Sequence, residues 1–137
     1  MTIEKIRSRL ELMSQQELVL TLDWYRQYRC VLARTDINEF IELVIRDAVT
    51  QQPLKQAPIH TRMHKVLDSN DRCIIWAHIE SGKSTTISIA RVLWEIGRNP
   101  NIRVAIVSNS LRRATDIAGA IRRYIQTPGI IHEVFPE

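Results

Sequence analysis

Cysteine is scarce in this sequence of 137 residues, and its two copies, Cys30 and Cys73, lie far apart. Their spacing fits no metal-binding motif, and such sparse use of cysteine is typical of a reducing compartment. No apolar run approaches the length that crosses a bilayer, and no signal peptide is recognisable. These absences predict that the protein has no membrane partner and favour a cytoplasmic location.

The chain also lacks internal repeats and low-complexity tracts, while 45% of its residues are apolar. This composition is sufficient for one globular domain with a helical appendage. Residues 1–52 have helical patterns, in which Ser14 and Glu17 show capping-box spacing and Asp36 can begin a later helix. The segment 51–58 interrupts the periodicity and is interpreted as a linker.

Residues 74–85 carry the most informative motif, an apolar run followed by a loop that ends in Gly82-Lys83-Ser84. Backbone N–H groups at a helix N-terminus hold phosphate oxygens, and Gly82 lets the backbone approach them closely. Lys83 brings a cation to the terminal phosphates, and the hydroxyl of Ser84 can bind their Mg²⁺. The sequence therefore predicts a nucleoside triphosphate ligand, assigned as ATP, together with Mg²⁺. The predicted contact residues are Ala77, His78, Ile79, Glu80, Ser81, Gly82, Lys83, Ser84 and Thr85.

The motif departs from the usual pattern because Ala77 stands where the first glycine is expected. The alternative interpretation is an ordinary turn with an exposed lysine. Glu80 is the one candidate for a catalytic role, since it and His78 lie inside the loop, but both can equally be spectators. His60 and His64 have the spacing of metal ligands on a helix, without a recognisable third ligand.

The segments around the loop alternate in character, which predicts an α/β fold. Short apolar runs at 73–76 and 104–107 are predicted to be parallel strands, and the segments 83–96 and 111–125 are predicted to be amphipathic helices. This order is typical of the beginning of a doubly wound domain, with ligand bound at the carboxyl ends of the strands.

Basic residues are concentrated after residue 50, where twelve basic residues face seven acidic ones, against seven and eight before it. The last predicted helix carries Arg112, Arg113, Arg122 and Arg123 on its polar side. These side chains are candidates for contact with DNA phosphates, although a solvated helix face is the more common explanation for such a pattern.

Together the loop, the second apolar run ending in Ser108-Asn109-Ser110 and the ending Phe135-Pro136-Glu137 resemble the large subunit of tailed-phage terminases, the DNA-packaging motors. The resemblance covers roughly residues 57–137, and His78 and Ile79 stand where that family often has Pro and Arg. It implies a RecA-like P-loop ATPase fold, a nuclease domain further along, double-stranded DNA as partner, and a bacterial host cell as location. Portal and small terminase subunits are further implied partners, with an oligomer in the full-length motor.

The acidic strand that such an ATPase uses, an apolar run ending in Asp-Glu, has no counterpart after the loop. We therefore expect 57–137 to be the first part of the ATPase domain, with little or no activity by itself. Two alternatives stay open: a fragment of a helicase-type P-loop ATPase, and a non-catalytic nucleotide- or DNA-binding remnant.

Overall fold

A computed structural model describes residues 3–136, and helices dominate the architecture. The α-helices are α1 Ile3–Glu11, α2 Gln15–Ala33, α3 Ile37–Val44, α4 Pro58–Ser69, α5 Val92–Arg98, α6 Leu111–Gln126 and α7 Ile130–Val134. A π-helical segment, Ser84–Arg91, runs directly into α5.

Local sequence signals explain where several of these helices begin. The Ser14 hydroxyl accepts a hydrogen bond from the backbone N–H of Glu17, and the Glu17 carboxylate accepts one from the backbone N–H of Ser14. This reciprocal arrangement confirms the predicted capping box. Asp36 caps α3 by accepting from the N–H of Asn38 at 2.8 Å, and Pro58 occupies the first turn of α4, where its missing N–H costs nothing.

The predicted α/β fold, a RecA-like P-loop fold with an incomplete parallel sheet, is wrong. Within residues 3–136 no strand forms, and the only β contact is an isolated antiparallel bridge between Arg46 and Pro53. Neither predicted strand, 73–76 or 104–107, takes part in a β-ladder. A strand is stable only when a neighbouring chain segment pairs with its backbone, and apolar composition alone does not supply that partner.

The core lies where α2 and α3 meet α5, α6 and α7. Its fully buried side chains include Phe40, Ile41 and Ile45 from one side and Leu93 and Val134 from the other. Helices on both sides of the segment 51–58 therefore contribute to a single hydrophobic cluster.

Specific contacts fix α5 and the end of α7 against the end of α2 and against α3. The indole N–H of Trp94 donates to the Ala33 carbonyl at 2.8 Å, and the Arg34 guanidinium donates to the Val134 carbonyl at 2.6 Å. The Phe135 ring packs against Phe40, with ring centroids 5.8 Å apart. Because these bonds are made at the ends of helices, they satisfy carbonyl groups that the helices themselves leave open.

Candidate phosphate-binding loop

The loop that precedes the π-helical segment contains two left-handed residues close together. Glu80 has φ 65° and Gly82 has φ 73°. A left-handed φ favours glycine, so Gly82 is suited to its place, whereas Glu80 adopts a conformation that is uncommon for a residue with a side chain. The chain turns back at Ser81, whose N–H donates to the His78 carbonyl at 3.3 Å.

The helix begins immediately after this turn. Lys83 has helical dihedral angles and precedes Ser84, the first residue of the π-helical segment. The Thr86 N–H donates to the Gly82 carbonyl at 2.9 Å. The Gly-Lys-Ser sequence therefore lies at a helix N-terminus, where backbone N–H groups have no intrahelical acceptors and can meet an anion.

The predicted contact residues differ in their accessibility. His78, Ile79, Glu80, Gly82 and Ser84 are exposed, whereas Ala77, Ser81, Lys83 and Thr85 are half-buried. The His78 imidazole contacts the Ile79 carbonyl through Nδ1. Exposure of the Ser84 hydroxyl leaves it accessible to a metal ion carried by a bound nucleotide.

Acidic groups are not bonded to the loop. Among the hydrogen bonds and ion pairs of residues 3–136, none joins a carboxylate to residues 77–85, and Glu80 itself has an exposed side chain. Nor do the described residues contain three or more His, Cys, Asp or Glu side chains arranged to hold a metal ion. Ser84, the residue that the sequence motif predicts as the Mg²⁺ ligand, is exposed at the start of the π-helical segment.

Helix α4 lies against the back of the loop. The Nε2 atom of His60 is 2.7 Å from the Ser81 carbonyl oxygen, and Nδ1 of the same ring accepts from the Ala57 N–H at 3.0 Å. A Cβ atom added to Gly82 would lie 3.3 Å from His60 Nε2. The loop is therefore held by a residue that the sequence motif does not contain.

One turn further along α4, His64 is enclosed. Its side chain is 1% exposed, and neither ring nitrogen has a hydrogen-bond partner among the described residues. Burial, followed by the charge of nearby Arg91, lowers the pKa of His64 from 6.5 to about 4. Arg91 in turn forms ion pairs with Asp68 at 2.7 Å and with Glu95 at 2.6 Å. Neutral His64 thus belongs to a polar layer between α4 and the helix that follows the loop.

The four candidate DNA contacts on α6 are all exposed. At about 100° per residue, Arg112 and Arg123 share one line along the helix, whereas Arg113 and Arg122 lie roughly 80–100° to either side. Arg123 also borders an open cavity of about 880 Å³ together with Arg46. The structure therefore spreads these side chains around the solvent side of α6.

A contact of His60 with the loop was not predicted from the sequence. The i, i+4 spacing of His60 and His64 is that of metal ligands on a helix, and it does not indicate a contact with the loop. The available signal was the position of His60, three residues after Ala57 at the start of a helix, where a side chain can reach back to an N–H group. Its second contact, with Ser81, depends on how α4 packs against the loop. It cannot be predicted from the local sequence.

The sequence was compared with protein-family models, with curated proteins and with solved structures, and no match was found in any of the three. Among residues 3–136, no helix combines the length and the apolar character needed to span a membrane.

Proposed function

We propose that the loop Ala77–Thr85 binds the phosphates of ATP with Mg²⁺, and that the chain is the ATP-binding portion of a motor similar to the terminase large subunit. The observation that carries the proposal is local: left-handed Gly82 is followed at once by Lys83 and by a helix that begins at Ser84. Backbone N–H groups without intrahelical acceptors, a lysine and a serine hydroxyl are therefore supplied by consecutive residues at one helix N-terminus.

Each group has a distinct role in this proposal. The N–H groups at the start of the π-helical segment donate hydrogen bonds to phosphate oxygens, and Lys83 neutralises the terminal phosphates. The Ser84 hydroxyl completes the Mg²⁺ shell. The assignment to a DNA-packaging motor rests on the sequence resemblance over residues 57–137 alone. Residues 3–136 form no parallel sheet that would support it.

The proposal is tested by isothermal calorimetry with ATP and Mg²⁺ on the full chain. Lys83→Ala should weaken binding at least tenfold, because a hydrogen bond to a charged group contributes about 1.5–3 kcal/mol. Lys65→Ala is the matched control, because Lys65 is an exposed lysine on α4. Equal ATP affinity in the wild type and in Lys83→Ala would overturn the proposal, as would an equal loss in both variants.

A second candidate function is nucleotide binding without turnover. The absence of any carboxylate bonded to residues 77–85 within the described chain favours it, because phosphoryl transfer to water needs a group that orients the nucleophile. We expect Mg²⁺-dependent turnover well below about 1 s⁻¹. Faster turnover that is lost in Lys83→Ala would exclude this candidate, and its further loss in Glu80→Gln would assign the missing role to Glu80.

A further inference from the structure

We propose that His60 is a positioning residue for the phosphate-binding loop: its imidazole holds the Ser81 carbonyl and so fixes the direction of the N–H group that follows it. The effect on ATP rests on the proposed function of the loop. The contact between His60 and Ser81 is part of the fold. Its role in the loop can therefore be tested separately from ATP binding.

The hydrogen bonds of His60 indicate which ring nitrogen accepts and which one donates. The Ala57 N–H donates to Nδ1, so this nitrogen carries a lone pair. A neutral ring then carries its proton on Nε2, and this N–H donates to the Ser81 carbonyl oxygen at 2.7 Å. The ring is half-buried between α4 and the loop, and each nitrogen has a different task.

The peptide between Ser81 and Gly82 is what this contact controls. In a planar trans peptide the C=O and N–H bonds point in opposite directions. With the Ser81 carbonyl directed at His60, the Gly82 N–H is directed away from α4. Glycine tolerates both orientations of a neighbouring peptide, so the loop by itself does not prevent a flip that would turn a carbonyl outward. The hydrogen bond from His60 selects the orientation that presents a donor to an anion.

Two substitutions separate the loop contact from the helix cap. In His60→Gln the side-chain amide can still donate to Ser81, and its oxygen can accept from the Ala57 N–H, as a glutamine at this position of a capping box does. In His60→Asn the amide oxygen takes the place of Nδ1 and can still accept from Ala57, but the contact with the loop is lost. A role confined to capping α4 predicts wild-type ATP affinity in both variants, whereas loop positioning predicts that only Asn weakens binding.

We expect calorimetry to show ATP affinity within about twofold of wild type for His60→Gln and about three- to tenfold weaker for His60→Asn, the range set by one neutral hydrogen bond. Thermal unfolding should leave both variants close to wild type, because each keeps an oxygen that can accept from the Ala57 N–H. Equal affinities of the two variants, or a weaker affinity in the Gln variant, would overturn the proposal.

Two further measurements keep the proposal independent of ATP and of the variants. If wild type and Lys83→Ala bind ATP alike, the proposed function fails, and amide hydrogen exchange at Gly82 then decides: faster exchange in the Asn variant alone supports the positioning role, and unchanged exchange refutes it. If the Asn variant does not fold, ¹⁵N NMR of the wild-type imidazole decides. A proton on Nε2 at neutral pH is expected, and a proton on Nδ1 would contradict the assigned contacts.

Discussion

Glycines inside helices behave differently according to what lies over them. A Cβ atom added at Gly97 would lie 2.2 Å from the Phe135 ring, so α5 and the Phe135 side chain meet at a position that only glycine fits. At Gly119 in α6, the nearest atom is the flexible end of Arg123 at 3.7 Å. Packing against Phe135 therefore requires glycine at position 97, whereas no neighbouring atom requires it at position 119.

This contrast predicts opposite effects of the same substitution. Gly97→Ala should lower the free energy of unfolding by about 1–3 kcal/mol, because the Phe135 ring, packed against Phe40, must move. Gly119→Ala should raise it by up to about 1 kcal/mol, since alanine is the better helix former. Urea denaturation of the two variants beside wild type measures both effects. A Gly97→Ala protein as stable as wild type would contradict the packing described here.

Buried His64 gives the fold a pH dependence of defined sign. Its pKa is about 4 in the folded chain, lowered by burial and by the Arg91 charge, and 6.5 is its ordinary value. Between these values the unfolded chain binds a proton that the folded chain does not, so stability falls as the pH drops from about 6.5 towards 4. A shift of this size corresponds to on the order of 3 kcal/mol at most.

Denaturation at pH 7 and at pH 4.5 tests this in three proteins. His64→Met removes the titrating group, so its loss of stability between the two pH values should be smaller than that of wild type. His132→Gln replaces an exposed histidine and should keep the wild-type difference. An identical pH dependence in His64→Met and wild type would show that His64 does not resist protonation.

At the scale of elements, the predicted helices form, whereas the apolar runs that were predicted to be strands do not. Helices form where the sequence supplies both a cap and an amphipathic pattern, as at α2 and α3. The apolar runs have β-branched residues but no paired backbone, and their side chains are largely outside the core: Ile74 is 82% exposed, Trp76 92% and Val107 93%. Apolar composition therefore does not by itself produce a strand when no neighbouring backbone pairs with the segment.

Amide hydrogen exchange distinguishes this architecture from one with a sheet. Residues 73–78 and 103–107 should exchange with little protection, since their N–H groups are in no ladder, whereas the middle of α2 and the end of α6 should be protected. Exchange followed by mass spectrometry of peptides covers all four segments in a single experiment. Protection of 73–78 equal to that of α2 would indicate that this segment pairs as a strand and would contradict the architecture.

Structural features that depend on neighbouring residues along the chain could be predicted from the sequence. The capping box at Ser14, the start of α3 at Asp36 and the extent of α6 were predicted and are confirmed. The helix predicted to end at residue 96 continues as α5 through Gly97 to Arg98, and Gly97 lies against the Phe135 ring. Features set by long-range packing were missed, among them the contact of His60 with the loop.

At the scale of the whole molecule, helices from both ends of the chain share one core, and the surface carries an excess of basic charge. The net charge is +4, and the sequence pI is about 9.4. The exposed arginines of α6 lie on the side of that helix away from the buried Ile121. A polyanion that met this side would be held by charge and not by base contacts.

We therefore expect any binding of duplex DNA to be independent of sequence and strongly dependent on salt. Arg112→Ala and Arg123→Ala, which share one line on α6, should each reduce the slope of log affinity against log salt by about 0.9, the value for one lost phosphate contact. Arg122→Ala should have a smaller effect, because that side chain lies roughly 80–100° away around the helix. Arg7→Ala is the control, since Arg7 is an exposed arginine on α1 that pairs with Glu11. Titrations of two duplexes of unrelated sequence at several salt concentrations measure these slopes. If the α6 substitutions change the slope no more than Arg7→Ala does, the arginines only solvate the helix, and DNA binding must be sought on another surface.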